Sequence, residues 1–132
     1  MNITTWIESN KQKLLSQGLF LTRISLALVF LYFGISQLTS PEQFVGWLPA
    51  EATLFPFSDT TLIILNGGLE LFAGILLLLG LFSRLAALIL GLHLLAITIS
   101  IGYTEIGVRD FGLAIATIAL SLTGPGAFAI DK

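Results

Sequence analysis

Residues 62–82 read LIILNGGLELFAGILLLLGLF, an almost unbroken apolar run long enough to cross a bilayer, yet it carries Asn66 and Glu70 one helical turn apart. A carboxylate at that depth must face protein or water rather than lipid. The run therefore identifies a membrane span and points to where function sits.

Working outward, apolar stretches of spanning length recur, and the spans are read as 19–38, 61–82, 85–103 and 108–124. The composition agrees: 132 residues are 55% hydrophobic and 11% charged, with mean hydropathy +0.96, too few polar side chains to cover a soluble globule. Unpaired backbone groups are too costly in lipid for anything but helices or closed barrels, and these runs lack the alternation of barrel strands. The expected fold is an all-α integral membrane protein, a single domain over 1–132 built as a four-transmembrane-helix bundle. The first apolar run is long enough to anchor and has no small-residue cleavage site after it, so no cleaved signal peptide is expected.

Cations set the orientation. Lys11, Lys13, Arg23, Arg84 and Lys132 fall on one side, whereas the other has Arg109 among Glu42, Glu51, Asp59, Glu105 and Asp110. The positive-inside rule puts both termini in the cytoplasm of a multi-pass plasma-membrane protein and the 39–60 loop outside. The formal net charge of -2 and the absence of a basic patch argue against nucleic acid as a partner; the bilayer is the expected one. The chain has no cysteine, which removes disulfide relays, iron–sulfur clusters and thiolate metal sites, and the lone His93 cannot supply both axial ligands of a haem within one subunit. No metal site and no covalent cofactor are expected.

Two segments flank the first span. Residues 6–16 read as an interfacial helix, with Thr5 and Glu8 as a capping box and Gly18 as a break before membrane entry. In the 39–60 loop, Ser40-Pro41-Glu42-Gln43 reads as a second capping box with proline at the first helical position. Phe44, Trp47, Leu48, Phe55 and Phe57 follow. This extracytoplasmic loop, helical and aromatic, is too apolar for a solvated connection and is expected to lie across the bundle mouth.

Small and polar residues share helix faces. Arg23, Ala27, Phe30, Gly34 and Gln37 form one stripe, and Asn66, Glu70, Ala73, Gly74 and Leu77 another. On the fourth span, Gly112, Ala116, Ala119 and Thr123 lie on one face and Asp110, Ala114, Thr117 and Ser121 on its neighbour. Such faces allow the close approach that drives helix association in lipid. At 1.5 Å per residue, Glu70 lies roughly 12 Å in from one boundary and His93 roughly 13 Å in from the other. Burying an ionised Glu costs about 3 kcal/mol, which the surrounding Leu, Ile and Phe outweigh. Glu70 and His93, with Asn66, Arg23, Tyr32 and Gln37, make up the candidate ligand or proton site. At the outer mouth the candidates are Arg109, Asp110 and Trp47, with Asp110 read as the cap of the fourth helix.

With these residues in view, the chain resembles the DoxX/DoxD family of small four-span membrane proteins. The resemblance runs from Leu19 to Asp131. It rests on Arg23, Phe33-Gly34 to Gln37-Leu38, Ser40-Pro41 with Phe44, Asn66-Gly67-Gly68-Leu69-Glu70 with Gly74, Leu79-Gly80-Leu81-Phe82-Ser83-Arg84, and Gly124-Pro125-Gly126 with Asp131. Ala127 and Ala129 depart from the more polar residues often seen there. The resemblance implies a plasma-membrane protein linked in some members to quinone-dependent oxidation. With no redox machinery of its own, the chain is read as a non-catalytic accessory subunit that holds a quinone for a redox partner protein, with a homo-oligomer allowed. Two other classes stay open: a small proton-coupled permease or lipid-handling protein, and a structural anchor for a soluble enzyme.

Overall fold

Each apolar run becomes a helix whose ends are set by local chemistry, and the elements follow in chain order. In the computed structural model, which describes residues 1–131, α1 spans Ile3–Ser9 and α2 spans Lys11–Thr39. Two short 3-10 helices, Pro41–Trp47 and Ala50–Leu54, lead to α3 (Asp59–Leu79), α4 (Ser83–Ile101) and α5 (Glu105–Thr123). Four of these, α2 to α5, are long and apolar enough to cross a membrane. Lys132, one of the cations used for orientation, lies outside the described residues.

Several local expectations are corrected. Asn2, not Thr5, caps α1, its side chain accepting from the Thr5 amide at 2.9 Å. The lead-in is divided at Asn10, and from Lys11 onward it is continuous with the first span. Gly18 does not break α2: one glycine costs a helix only about 1 kcal/mol, and its surroundings are open. The Ser40 side chain makes no capping bond, so that box does not form, although Pro41 does start the 3-10 turn. Thr104 caps α5 by accepting from the Gly107 amide at 3.0 Å, which leaves Asp110 in the second turn rather than at the cap.

The bundle is two tightly packed antiparallel pairs, α2 with α3 and α4 with α5, joined more sparsely through α3 and α4. Glycine makes each pair close. A Cβ on Gly34 would sit 2.7 Å from the Leu71 amide nitrogen, and one on Gly67 would sit 3.0 Å from the Gly34 carbonyl, so here α2 and α3 touch backbone to backbone. Gly91 does the same for α4 against Ile118 of α5. Around these crossings Leu26, Ala27, Phe30, Ala73, Leu77, Ala87, Leu90, Leu94, Ala114 and Leu120 form one dry core. The α2 stripe from Arg23 to Gln37 is buried as its spacing implies. On α5 only one of the two small-residue faces packs inward: Ala114, Thr117 and Ser121 are buried, whereas Gly112, Ala119 and Thr123 face outward.

The basic end is closed by the chain after α5. Arg23 is fully buried, and its five N–H groups meet five carbonyls: Nε donates to Pro125, Nη1 to Leu77 and Leu78, and Nη2 to Ala127 and Phe128, at 2.7–3.2 Å. Leu77 and Leu78 offer carbonyls from the last turn of α3, that of Leu77 also accepting from the Gly80 amide at 3.1 Å, and the helix ends where Gly80 turns left-handed at φ 70°. Asp131 then caps α4, accepting from the amides of Phe82 at 2.9 Å and Ser83 at 2.7 Å. These bonds, led by that from Ser83, hold the Asp131 carboxyl below the ordinary aspartate range.

Because the α2–α3 crossing leaves no room for a methyl group, Gly34→Ala is expected to lower thermal stability in detergent by about 1–3 kcal/mol. Gly112→Ala meets open space and should match the parent or exceed it slightly. Equal melting temperatures for Gly34→Ala and the parent would show that this backbone contact does not exist.

Candidate functional site

The close crossing at Gly34 and Gly67 carries polar side chains into reach of one another. Gln37 lies one turn beyond Gly34 on α2, and Asn66 and Glu70 flank Gly67 on α3, so the same contact that excludes a Cβ brings their side chains together. Gln37 Nε2 donates to Glu70 Oε2 at 3.0 Å. Asn66 Nδ2 donates to Glu70 Oε1 at 3.2 Å and to Gln37 Oε1 at 2.5 Å. Both Asn66 amide hydrogens are then committed, and its Oδ1 is left as an acceptor for Nε2 of His93 on α4. His93 therefore carries its proton on Nε2 in this arrangement. The same nitrogen is 3.9 Å from Glu70 Oε1.

The four side chains form a graded site. Glu70 and Gln37 are each 5% exposed, whereas the His93 side chain is 25% exposed and Asn66 is half-buried. The carboxylate lies at the closed end and the imidazole at the open one. In a low-dielectric surround such a network is held firmly, because any member left unpartnered costs more than its bond contributes. Chemically it presents an N–H donor and a carboxylate acceptor within one side chain's reach, which suits a ligand bearing a carbonyl or hydroxyl headgroup. It offers no metal chelate, since among the described residues no cluster of three or more His, Asp or Glu is present.

Of the residues singled out from sequence, Glu70, His93, Asn66 and Gln37 are brought together. Arg23 and Tyr32 are not. Arg23 is held by backbone carbonyls at the basic end and neither snorkels nor reaches the network. Tyr32 projects from the outside of α2, 68% exposed, because it is out of register with the inward stripe. At the loop end, Arg109 Nε donates to its neighbour Asp110 at 2.9 Å rather than to Glu105 or the outer loop. Trp47 lines a shallow groove of about 520 Å³ between the 3-10 segment and the α4–α5 turn, opposite Ser100, Thr104 and Glu105. That groove does not include Glu70 or His93. Sequence reading missed Asp131 as a helix cap and the glycine crossing as the device that sets the network's geometry. The Gly34 and Gln37 spacing opposite Asn66-Gly67 was the available signal for the crossing; for Asp131, the bond spans 48 residues and left none.

The DoxX family model matches residues 18–103, more than half of the chain, and the chain belongs to the DoxX family. The matched range carries α2 from residue 18 onward, all of α3 and α4, and the four network residues; the Gly124-Pro125-Gly126 and Asp131 part of the resemblance lies outside it. No curated protein and no solved structure matches the chain.

If Asn66 is the hub of the network, Asn66→Leu is expected to cost about 1–3 kcal/mol in detergent unfolding, because it removes three side-chain bonds and leaves Glu70 under-satisfied. Tyr32→Phe, outside the network, should change nothing. Parity between the two variants would mean that the network does not brace the bundle.

Proposed function

We propose that this DoxX-family chain is an accessory membrane subunit that holds a quinone or a similar lipophilic ring-carbonyl molecule for a redox partner protein. The supporting observation is the graded network, with Glu70 closed in and His93 partly open within the membrane. His93 Nε2–H, now turned to Asn66, is the group available to donate to a ring carbonyl, and Glu70 is the group available to accept from a ring hydroxyl. Asn66 and Gln37 keep both correctly oriented. Two-electron chemistry on such a molecule needs a partner, since the chain has no cysteine and one histidine.

The residues fit the headgroup's hydrogen-bonding needs, and the headgroup docks against the flank of the network instead of entering a deep pocket, for the groove at the loop end does not reach it. In this reading the protein sits in the plasma membrane, with the Arg84 end cytoplasmic by the positive-inside rule and the 39–60 loop outside.

Organic extracts of the purified protein, read by mass spectrometry, test the proposal. The parent is expected to retain a stoichiometric quinone-like lipid, and Glu70→Gln and His93→Ala to lose most of it while inserting and folding normally. If both variants keep the parent's lipid content but melt lower, the four residues are only a structural brace.

A further inference from the structure

Resting on the quinone-holding reading, we infer that the Glu70–His93 site is one-sided: its ligand arrives sideways from the membrane, past His93, and no route joins the site to the basic end. Two successive barriers close that end. The first is the dry core. Passing from Glu70 along α3, the next inward residues are Ala73, Gly74 and Leu77, and Ala73 and Leu77, at 4% and 0% exposure, pack with Ala27, Phe30, Ala87 and Leu90. Leu77 lies seven positions beyond Glu70 on α3, about 10 Å of apolar packing at 1.5 Å per residue. A hydrated solute or a water chain crossing it would lose its hydrogen bonds with no replacement.

The second barrier is the strap formed by residues 124–131. Leaving α5, it is tied to the other three spanning helices: the Ala127 amide donates to Ser16 of α2 at 3.0 Å, Arg23 of α2 grips three strap carbonyls, Ile130 and Asp131 amides donate to Leu79 and Gly80 at the end of α3, and the Asp131 carboxylate caps α4. Arg84 adds bonds to the Ser121 and Leu122 carbonyls at the end of α5. The strap fits without slack, since a Cβ on Gly126 would sit 2.6 Å from the Ser16 carbonyl and one on Gly80 2.5 Å from the Ala129 methyl group. Residue 80 thus has no room for a side chain beneath Ala129.

Toward lipid the packing is different. His93 faces the sparse α3–α4 junction and is the network member with an exposed ring. A lipid-soluble molecule with a hydrogen-bonding head has an approach there, and a water-soluble solute has none. The same closure removes the through-path that a proton-coupled permease needs.

The absence of cysteine makes the test direct, because one introduced thiol is the sole thiol in the protein. Ile97 and Leu90 flank His93 on α4, one turn toward the loop end and one toward the basic end, with Ile97 half-buried and Leu90 at 0% exposure. Ile97→Cys and Leu90→Cys are reconstituted in vesicles presenting the basic end outward. Each is treated with lipid-soluble phenylmaleimide or with a membrane-impermeant sulfonated maleimide, and full labelling in denaturing detergent shows that both thiols are intact. The expected result is labelling of Ile97→Cys by phenylmaleimide at least tenfold faster than Leu90→Cys, with no labelling of either by the impermeant reagent. Reaction of Leu90→Cys with the impermeant reagent, or equal phenylmaleimide rates at the two positions, would overturn one-sided access. Adding decyl-quinone separates the two claims: slower labelling at Ile97→Cys supports both, whereas the expected route without any quinone protection or retained quinone keeps the route and sinks the quinone reading.

Discussion

Hydrocarbon offers no hydrogen bonds, so every polar group carried into the bundle has to be satisfied by the protein itself. Two side chains make that demand most severely. Arg23, fully buried, meets it by matching each of its five N–H groups to a carbonyl, and in doing so ties the α3 C-terminus to the chain after α5. Glu70 meets it through the amides of Gln37 and Asn66, which lie within reach because Gly34 and Gly67 let two helix backbones touch. One set of bonds shuts the basic end. The other builds a polar site near the middle of α3 and α4.

The two solutions differ in what they leave over. Arg23 has no spare donor, and its carbonyl partners carry no charge to exchange, so the cluster is a fastening. The Glu70 network ends in a histidine that is partly exposed and has a second acceptor 3.9 Å away. That remaining capacity is what a ligand site needs and a brace does not, and it lies at the sparser α3–α4 junction.

Spans and inward faces were legible in the sequence, because apolar length and helical spacing are local properties: the α2 stripe from Arg23 to Gln37 is buried as read, and so is the α3 stripe from Glu70 to Leu77, with Asn66 half-buried at its edge. The approach of Glu70 and His93 was anticipated from depth alone. Helix starts were read less well. At α1, Asn2 and Thr5 compete for the same capping role one turn apart, and at α5 an acidic residue in the second turn resembled a cap. Arg23 could not be placed from sequence. An arginine near a membrane boundary can equally reach headgroups or turn inward, and what decides is a set of backbone carbonyls from residues 77 to 128 that carry no residue signature. For the same reason Ala127 and Ala129 need no polar side chain: Arg23 holds the strap through its main-chain oxygens.

The central claim is that His93 Nε2 is the ligand-facing donor of a membrane-embedded polar site. With one histidine in the chain, selective ¹⁵N-histidine labelling gives a single pair of ring signals, free of assignment ambiguity. A ring carrying its proton on Nε2 is expected in the ligand-free protein, with a shift of that nitrogen, in preference to Nδ1, when decyl-quinone is added to the reconstituted sample. Ring signals that stay unchanged at saturating quinone would contradict it.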